Sequence, residues 1–323
     1  MSAAPSTDTA WSRVWGHETA LQALQRALRH GRLSPSVLLS GPSSVGKTLV
    51  AEVLAQSLLC TAAASPCGSC PSCQAVARRS HPDGLWLEPP GPTTAVPIET
   101  VREALRRLHH TPVASARHVA VVLAIEQLSE EAATTLLKTV EEPPSTAQLI
   151  LTTQDLGRCL PTIVSRCQLV RLAPLGREAL AARLVTERHV PPALAQRIAV
   201  LAEGRAGAAL ALIDRSDLPT VDDFFEQLTG KHDWSSDRRE ELVGLFEQYL
   251  WWCRDRLCAL AGCAEVATTT TMGTASALIP CTLEESSDVL TEAVELLEAL
   301  EHRVNPKLIQ WSLQQRWLSA KQP

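Results

Sequence analysis

The chain is poor in aromatic side chains and in methionine: eight Trp, three Phe and one Tyr occur among 323 residues, with two Met. Leu, Val and Ala must fill whatever core it builds. No run approaches the roughly 18–20 consecutive apolar residues of a membrane-spanning helix, so a membrane partner is not expected. The opening stretch Met1–Trp11 has neither the basic start nor the apolar run of a secretory signal. A basic excess is missing too. Thirty Lys and Arg against 35 Asp and Glu give a net charge of −5, unlike a protein that grips nucleic acid mainly through its own surface. These absences point to a cytoplasmic, water-soluble chain of two or three domains.

Apolar periodicity predicts helices over His17–Arg32, Lys47–Leu59, Ile98–His110 and from Ser129 to Pro143. Short apolar runs predict strands at Ser36–Ser40, Leu85–Leu87, His118–Ala124, Gln148–Thr153 and Gln168–Leu172. The alternation argues for a parallel sheet with helices on both faces. After Pro174 the strand signal stops. Glu178–Arg188, Ala193–Glu203 and Ala206–Asp214 read as short helices, and Ser216–Pro219 as a linker. Val221–Leu228, Asp237–Leu260, Leu283–Glu301 and Pro306–Leu318 read as further helices, with a polar loop at Thr268–Thr271 and Gly273. The expected layout is an α/β domain over residues 1–173, a small helical domain over 174–217 and a larger all-helical domain over 218–323. The basic pairs Arg78-Arg79, Arg106-Arg107 and Arg238-Arg239 read as solvated faces rather than phosphate clamps.

Gly41-Pro42-Ser43-Ser44-Val45-Gly46-Lys47-Thr48 matches the phosphate-binding pattern G-x-x-x-x-G-K-[ST] in full and sits between a predicted strand and a predicted helix. The glycines Gly41 and Gly46 let backbone N–H groups of the loop, that of Ser44 included, turn inward around phosphate oxygens. Lys47 reaches the β/γ-phosphates of such a ligand and the Thr48 hydroxyl its Mg²⁺. The expected ligand is ATP or ADP. Hydrolysis additionally needs an acid at the end of a neighbouring strand, with a second to activate water. The candidate strand ends Leu123-Ala124-Ile125-Glu126, so its only acid arrives two to three residues late. The site reads as competent to bind and poor at hydrolysis.

Ten cysteines in an intracellular chain suggest metal or buried thiols before disulfides. Cys60, Cys67, Cys70 and Cys73 fall in one Pro/Gly/Ser-rich segment, and two-residue gaps let successive thiolates face one centre. Four sulfurs suit a closed, structural tetrahedral Zn²⁺ site; an iron–sulfur cluster or free thiols are the alternatives. His81, just beyond, reads as an ordinary surface residue. Cys159, Cys167, Cys253, Cys258, Cys263 and Cys281 are scattered and read as small core hydrophobes.

Taken alone, Arg166 is a surface charge. The P-loop, the four-cysteine insert after its helix, Leu136-Leu137-Lys138-Thr139-Val140-Glu141-Glu142-Pro143-Pro144 and Ser165-Arg166-Cys167 together resemble the bacterial DNA polymerase III clamp-loader subunits of the AAA+ class, and among them the delta-prime branch. The resemblance covers about residues 11–215, including Trp15-Gly16-His17-Glu18 and Pro97–Arg102; residues 219–323 match only as a helical bundle of suitable size. It implies an AAA+ P-loop domain, a helical lid and a C-terminal collar. It also implies a place beside tau/gamma and delta subunits in a hetero-pentamer that loads the sliding clamp onto primed DNA. Arg166 would then serve the ATP site of a neighbouring motor subunit, and Thr153 matches the first sensor position. The motor's acid pair falls on Leu123 and Ala124, and its second-sensor arginine on Gly207, two residues past Arg205. The other readings are an ATP-hydrolysing tau/gamma-type motor and an unrelated P-loop NTPase. The chain carries no polymerase site of its own.

Overall fold

Five apolar runs become the strands of one parallel sheet: β1 (Ser36–Ser40), β2 (Gly84–Leu87), β3 (His118–Val122), β4 (Ala147–Thr153) and β5 (Gln168–Arg171). Their order is β2-β3-β4-β1-β5, and every pairing is parallel. The helices between them are α1 (Glu18–Arg29), α2 (Lys47–Leu59), α3 (Pro71–Ala77), α4 (Ile98–Arg107), α5 (Glu130–Glu141) and α6 (Pro161–Val164). Then come α7 (Arg177–Arg188), α8 (Pro192–Leu201), α9 (Ala206–Asp214), α10 (Arg239–Leu260), α11 (Leu283–Glu301) and α12 (Pro306–Ser319). This computed structural model describes residues 10–63, 65–91, 96–214, 239–262, 282–301 and 304–319, with Phe224, Glu226, Leu228, Trp234 and Ser235. It divides into two units, Met1–Leu212 and Ile213–Pro323.

Side chains alternate across a strand, and here both faces are apolar. Val37, Leu39, Val119, Val121 and Ile150 pack on Leu24 of α1 and on Val50 and Leu54 of α2. Leu38, Ala120, Val122, Leu149 and Leu151 point the other way, onto Val101 and Leu105 of α4 and Leu136 and Val140 of α5. Every residue of β1, β3 and β4 is buried, which explains why these strands read as continuous apolar runs. Helix α5 begins on Ser129, whose side chain accepts from the Ala132 N–H, and ends before Pro143-Pro144.

The second unit holds much of the scarce aromatic content. Phe224 stacks on Tyr249 at 4.3 Å between ring centroids and meets Phe246 edge-on at 5.4 Å; Trp234 meets Phe246 at 5.8 Å. Helices α10 to α12 follow the expected periodicity within one or two residues. The expected linker at 216–219 and loop at 268–273, with Cys263, Cys281 and Arg238, lie outside the described residues, as do all residues of the expected 221–228 helix except Phe224, Glu226 and Leu228, which are helical. No helix among the described residues is long and apolar enough to cross a membrane.

Two short helices, α3 and α6, were not expected from periodicity; each opens on a proline at its first turn. One expectation is overturned. His81 is not a surface residue but buried: its Nδ1 accepts from the Asp83 N–H at 3.1 Å and its Nε2 lies 3.3 Å from Ser72 Oγ. Burial lowers its pKa despite the nearby Asp83 carboxylate. Asp83 itself is fully buried and ties down the loop before β3. Its carboxylate accepts from the N–H groups of Val113, Ala114 and Ser115 and from Ser115 Oγ, all at 2.7–2.8 Å. Burial alone would raise its pKa; the four donors outweigh that and hold it below the ordinary 3.8.

Asp83→Ala would strand three backbone donors and should cost about 3 kcal/mol of stability at neutral pH, read by urea denaturation. A depressed carboxyl stabilises fully above its unfolded pKa and loses that contribution as pH falls through the folded value. The gap between wild type and variant should therefore close below about pH 4; a pH-independent gap would refute the charge's role.

Candidate functional site

The P-loop leaves β1 at the carboxyl edge of the sheet, where ligands of parallel α/β folds bind. It is anchored between two neighbouring strands: the Gly41 N–H donates to Thr153 O at the end of β4, and the Leu172 N–H just past β5 donates to Ser40 O. Ser44 and Gly46 adopt left-handed backbone, with φ of 58° and 110°, which turns the loop back onto the start of α2. Lys47 opens that helix, and its Nζ donates to the carbonyls of Gly41 and Pro42 at 2.8 and 2.7 Å. Burial lowers its pKa, opposed by the Glu126 carboxylate.

The crest of the loop is gripped from outside at three consecutive residues. Val45 O accepts from His17 Nε2 at 3.1 Å, Ser44 O accepts from the Gly207 N–H at 2.8 Å, and Arg205 Nη1 donates to Ser43 Oγ at 3.4 Å. A Cβ on Gly207 would stand 2.8 Å from Ser44 O, so only glycine lets α9 start this close. Sequence reasoning had placed Gly207 only as a missing arginine. Beside the crest lies a cleft of about 610 Å³, lined by Trp15, Ser44, Lys47, Thr48, Glu187 and Gly207 among others. Trp15 Nε1 donates to the Glu187 carboxylate at 2.7 Å, joining the N-terminal segment to α7. A glycine-bearing loop, a buried lysine and the positive end of a 13-residue helix suit a phosphate chain, and the cleft has room for a nucleoside.

No acid directly follows β3. Leu123 and Ala124 come just after β3, and Ala124 takes a left-handed turn with its N–H on Thr152 Oγ1. Glu126 follows; its Oε1 accepts from the Gln154 N–H at 3.1 Å, while its Oε2 is buried without a partner. Thr153 is buried, and its hydroxyl closes a turn with the backbone of Asp155 and lies 3.1 Å from Cys159 Sγ. It is its carbonyl that reaches the P-loop.

The structure brings together the four cysteines of the insert. Cys60 Sγ lies 3.7 Å from Cys67 Sγ and 3.9 Å from Cys70 Sγ, and Cys67 Sγ lies 4.0 Å from Cys73 Sγ. Tetrahedral ligands at 2.3 Å from zinc stand about 3.8 Å apart, so the spacing fits. N–H groups of Cys70 and Ser69 lower the Cys67 thiol to about 6, whereas burial raises that of Cys73. Gln56 Nε2 of α2 donates to Cys73 O, tying the knuckle to the P-loop helix. His81 is not among the four grouped ligands. Of the other described cysteines, Cys159 and Cys253 are buried, and Cys167 and Cys258 are partly so; burial pushes Cys167 up to about 11.

Arg166 stands apart from all of this. It lies between α6 and β5, where its Nη2 pairs with Glu141 Oε1 at 3.0 Å and its Nη1 donates to Thr162 O at 3.2 Å. Because β5 runs parallel to β1, with Val37 opposite Gln168, Arg166 sits at the amino edge of the sheet. That is on the order of 15–20 Å, a strand's length, from its own P-loop.

A family model described as "DNA polymerase III, delta subunit" matches residues 16–176. The DNA polymerase III subunit tau/gamma of Haemophilus influenzae is 32% identical over 211 residues, covering 63% of this chain and 30% of that protein. The delta' subunit of Pseudomonas aeruginosa is 39% identical over 132 residues, 40% of each chain. The chain thus spans less than half the length of these curated relatives. Among solved structures, the RuvB Holliday junction branch migration motor of Thermotoga maritima aligns over 76% of this chain and 77% of its own, at 18% identity and a TM-score of 0.46. Over the segment that carries the P-loop, the four-cysteine knuckle and Arg166, this chain thus matches the clamp-loader subunits of DNA polymerase III.

Proposed function

We propose that the chain is a delta-prime, stator-type subunit. It works in the cytoplasm beside tau/gamma and delta subunits, in a hetero-pentamer that places the sliding clamp on primed DNA. Residues 174–217 act as its lid and residues 218–323 as its collar. The observation that carries this reading is the separation of two half-sites: a complete P-loop without an acid pair at one edge of the sheet, and an exposed guanidinium at the other. Arg166 is too far away to serve its own nucleotide, and its exposed guanidinium would exchange Glu141 for a neighbour's phosphate.

ATP or ADP would lie in the cleft with its phosphates on the N–H groups of the P-loop. Lys47 would exchange two loop carbonyls for phosphate oxygens, a gain in charge pairing. Mg²⁺, held with the Thr48 hydroxyl, would neutralise phosphate charge. With Leu123 and Ala124 where acids are needed, no side chain there orients an attacking water, so turnover is slow. In the neighbouring site Arg166 stabilises charge on the transferred phosphoryl, a role worth on the order of 10³–10⁵ in rate. Zn²⁺ in the four-cysteine knuckle is structural: four sulfurs close the coordination shell and leave no position for water. The tau/gamma-type motor reading rests on the intact P-loop, and Leu123-Ala124 argues against it.

Purified protein should bind a fluorescent ATP analogue, weakened about tenfold or more by Lys47→Ala, and show negligible hydrolysis alone; vigorous turnover would favour the motor. Arg166→Ala should leave folding and analogue binding intact while lowering the ATPase of a reconstituted loader about a hundredfold or more. An unchanged ATPase would remove the trans role. Elemental analysis should return one zinc per chain, and Cys70→Ser should lose the metal and lower the melting temperature of the P-loop domain. A metal-free variant of equal stability would refute the structural site.

A further inference from the structure

Arg166 is held by the ends of two helices at once. Helix α5 closes on Glu141, and its last turn packs beside α6: Val140 and Ile163 belong to one buried cluster, with Val164 against it. That packing brings the Glu141 carboxylate to Arg166, with Oε1 3.0 Å from Nη2. The end of α6 supplies the other hold. Arg166 Nη1 donates to Thr162 O at 3.2 Å, a carbonyl that Ser165 Oγ also reaches at 3.1 Å. Among the described residues, Arg166 is the only cation paired with Glu141. A carboxylate on the last residue of a helix meets the negative end of the helix dipole, so the guanidinium relieves a repulsion as well as making a pair.

The hold is a releasable one. Both groups are exposed, with 44% of the Arg166 side chain and 38% of the Glu141 side chain open to solvent, and an exposed ion pair is worth little. It also falls on a particular nitrogen. A guanidinium takes an oxyanion with two parallel hydrogen bonds through Nε and Nη2 or through Nη1 and Nη2. Nη2 is common to both edges, and it is the nitrogen that Glu141 holds. A phosphoryl group must recover it before Arg166 can grip in that way. A terminal phosphate is well equipped to do so, with about −1.5 to −2 charges and three acceptor oxygens against the single charge of a carboxylate.

We propose that Glu141 is a positioning residue that holds the Arg166 guanidinium back until the terminal phosphate of a neighbour's nucleotide displaces it, and so acts as a brake on hydrolysis in that site. The inference rests on the trans role proposed for Arg166. It gives the neighbouring site a discrimination that an unrestrained arginine lacks. A triphosphate draws the guanidinium off Glu141, whereas a diphosphate lacks the group that would displace it. Of the two adjacent acids only Glu141 pairs with Arg166; Glu142 has already left helical geometry, with φ of −127° and ψ of 68°.

The test is the steady-state ATPase of the reconstituted loader, titrated with ATP at about 50 and about 300 mM salt, with four forms of this chain: wild type, E141Q, R166A and E141Q/R166A. Glutamine keeps the shape and removes the charge, so E141Q should raise kcat/KM about three- to fivefold at the lower salt. The rise should shrink at the higher salt, where an exposed pair is screened. In the R166A background the same substitution should change nothing, because the two side chains act as one unit. Thermal unfolding followed by circular dichroism reports folding, and E141A takes the place of E141Q should the latter be unstable. An unchanged or lowered kcat/KM without the Glu141 carboxylate, beside an R166A loader that is slow, would overturn the brake and leave the trans role standing. So would a rise that persists without Arg166. An R166A loader as fast as wild type would instead remove the trans role, and the brake with it.

Discussion

All five strands run the same way, and that constraint sorts the chemistry of the first unit onto two edges. Parallel pairing sends the carboxyl ends of β1, β3 and β4 to one side, where the P-loop, Glu126 and Thr153 converge. It sends the residues entering β5 to the other, where Arg166 rests on Glu141. An antiparallel β5 would have put Arg166 beside its own P-loop. The separation of Arg166 from the P-loop is therefore a property of strand direction before it is a property of any side chain.

Within the pocket edge, the arrangement depends on who satisfies the backbone of the P-loop. Its carbonyls, like any buried backbone acceptors, need partners. His17 and Gly207 supply them at Val45 and Ser44, and Lys47 covers Gly41 and Pro42. The first two donors come from the N-terminal segment and from the start of α9. The loop is thereby coupled to elements distant in sequence, through single hydrogen bonds that any shift of α9 would break.

Much of this was legible in the residues. The strands of the sheet and the long helices were readable because burial on both faces or on one stripe writes a period into the sequence. The P-loop and the cysteine knuckle were readable because local spacing alone decides whether backbone or sulfur atoms can converge. What could not be read depends on long-range placement. His81 looked like surface because nothing local reveals that Asp83 and Ser72 would enclose it. Helices α3 and α6 are too short to show a period, and proline marked only their starts. The meeting of Arg29 and Arg117 in one cleft follows from topology, which no single window contains.

Gly207 shows why a departure from a family pattern carries more than the loss of one side chain. Where a motor subunit is expected to present an arginine, this chain brings backbone to within hydrogen-bonding distance of Ser44 O. A Cβ there meets a carbonyl at 2.8 Å, which backbone cannot yield cheaply. Restoring the arginine would therefore push α9 away from the P-loop and break the bond that seats it. Restoring acids at Leu123 and Ala124 would meet a comparable obstacle, since Leu123 is packed in the core and Ala124 holds a left-handed turn. Each substitution is resisted by the packing around it. The three positions are thus held by the backbone and packing around them, and exchanging their side chains alone would disturb both.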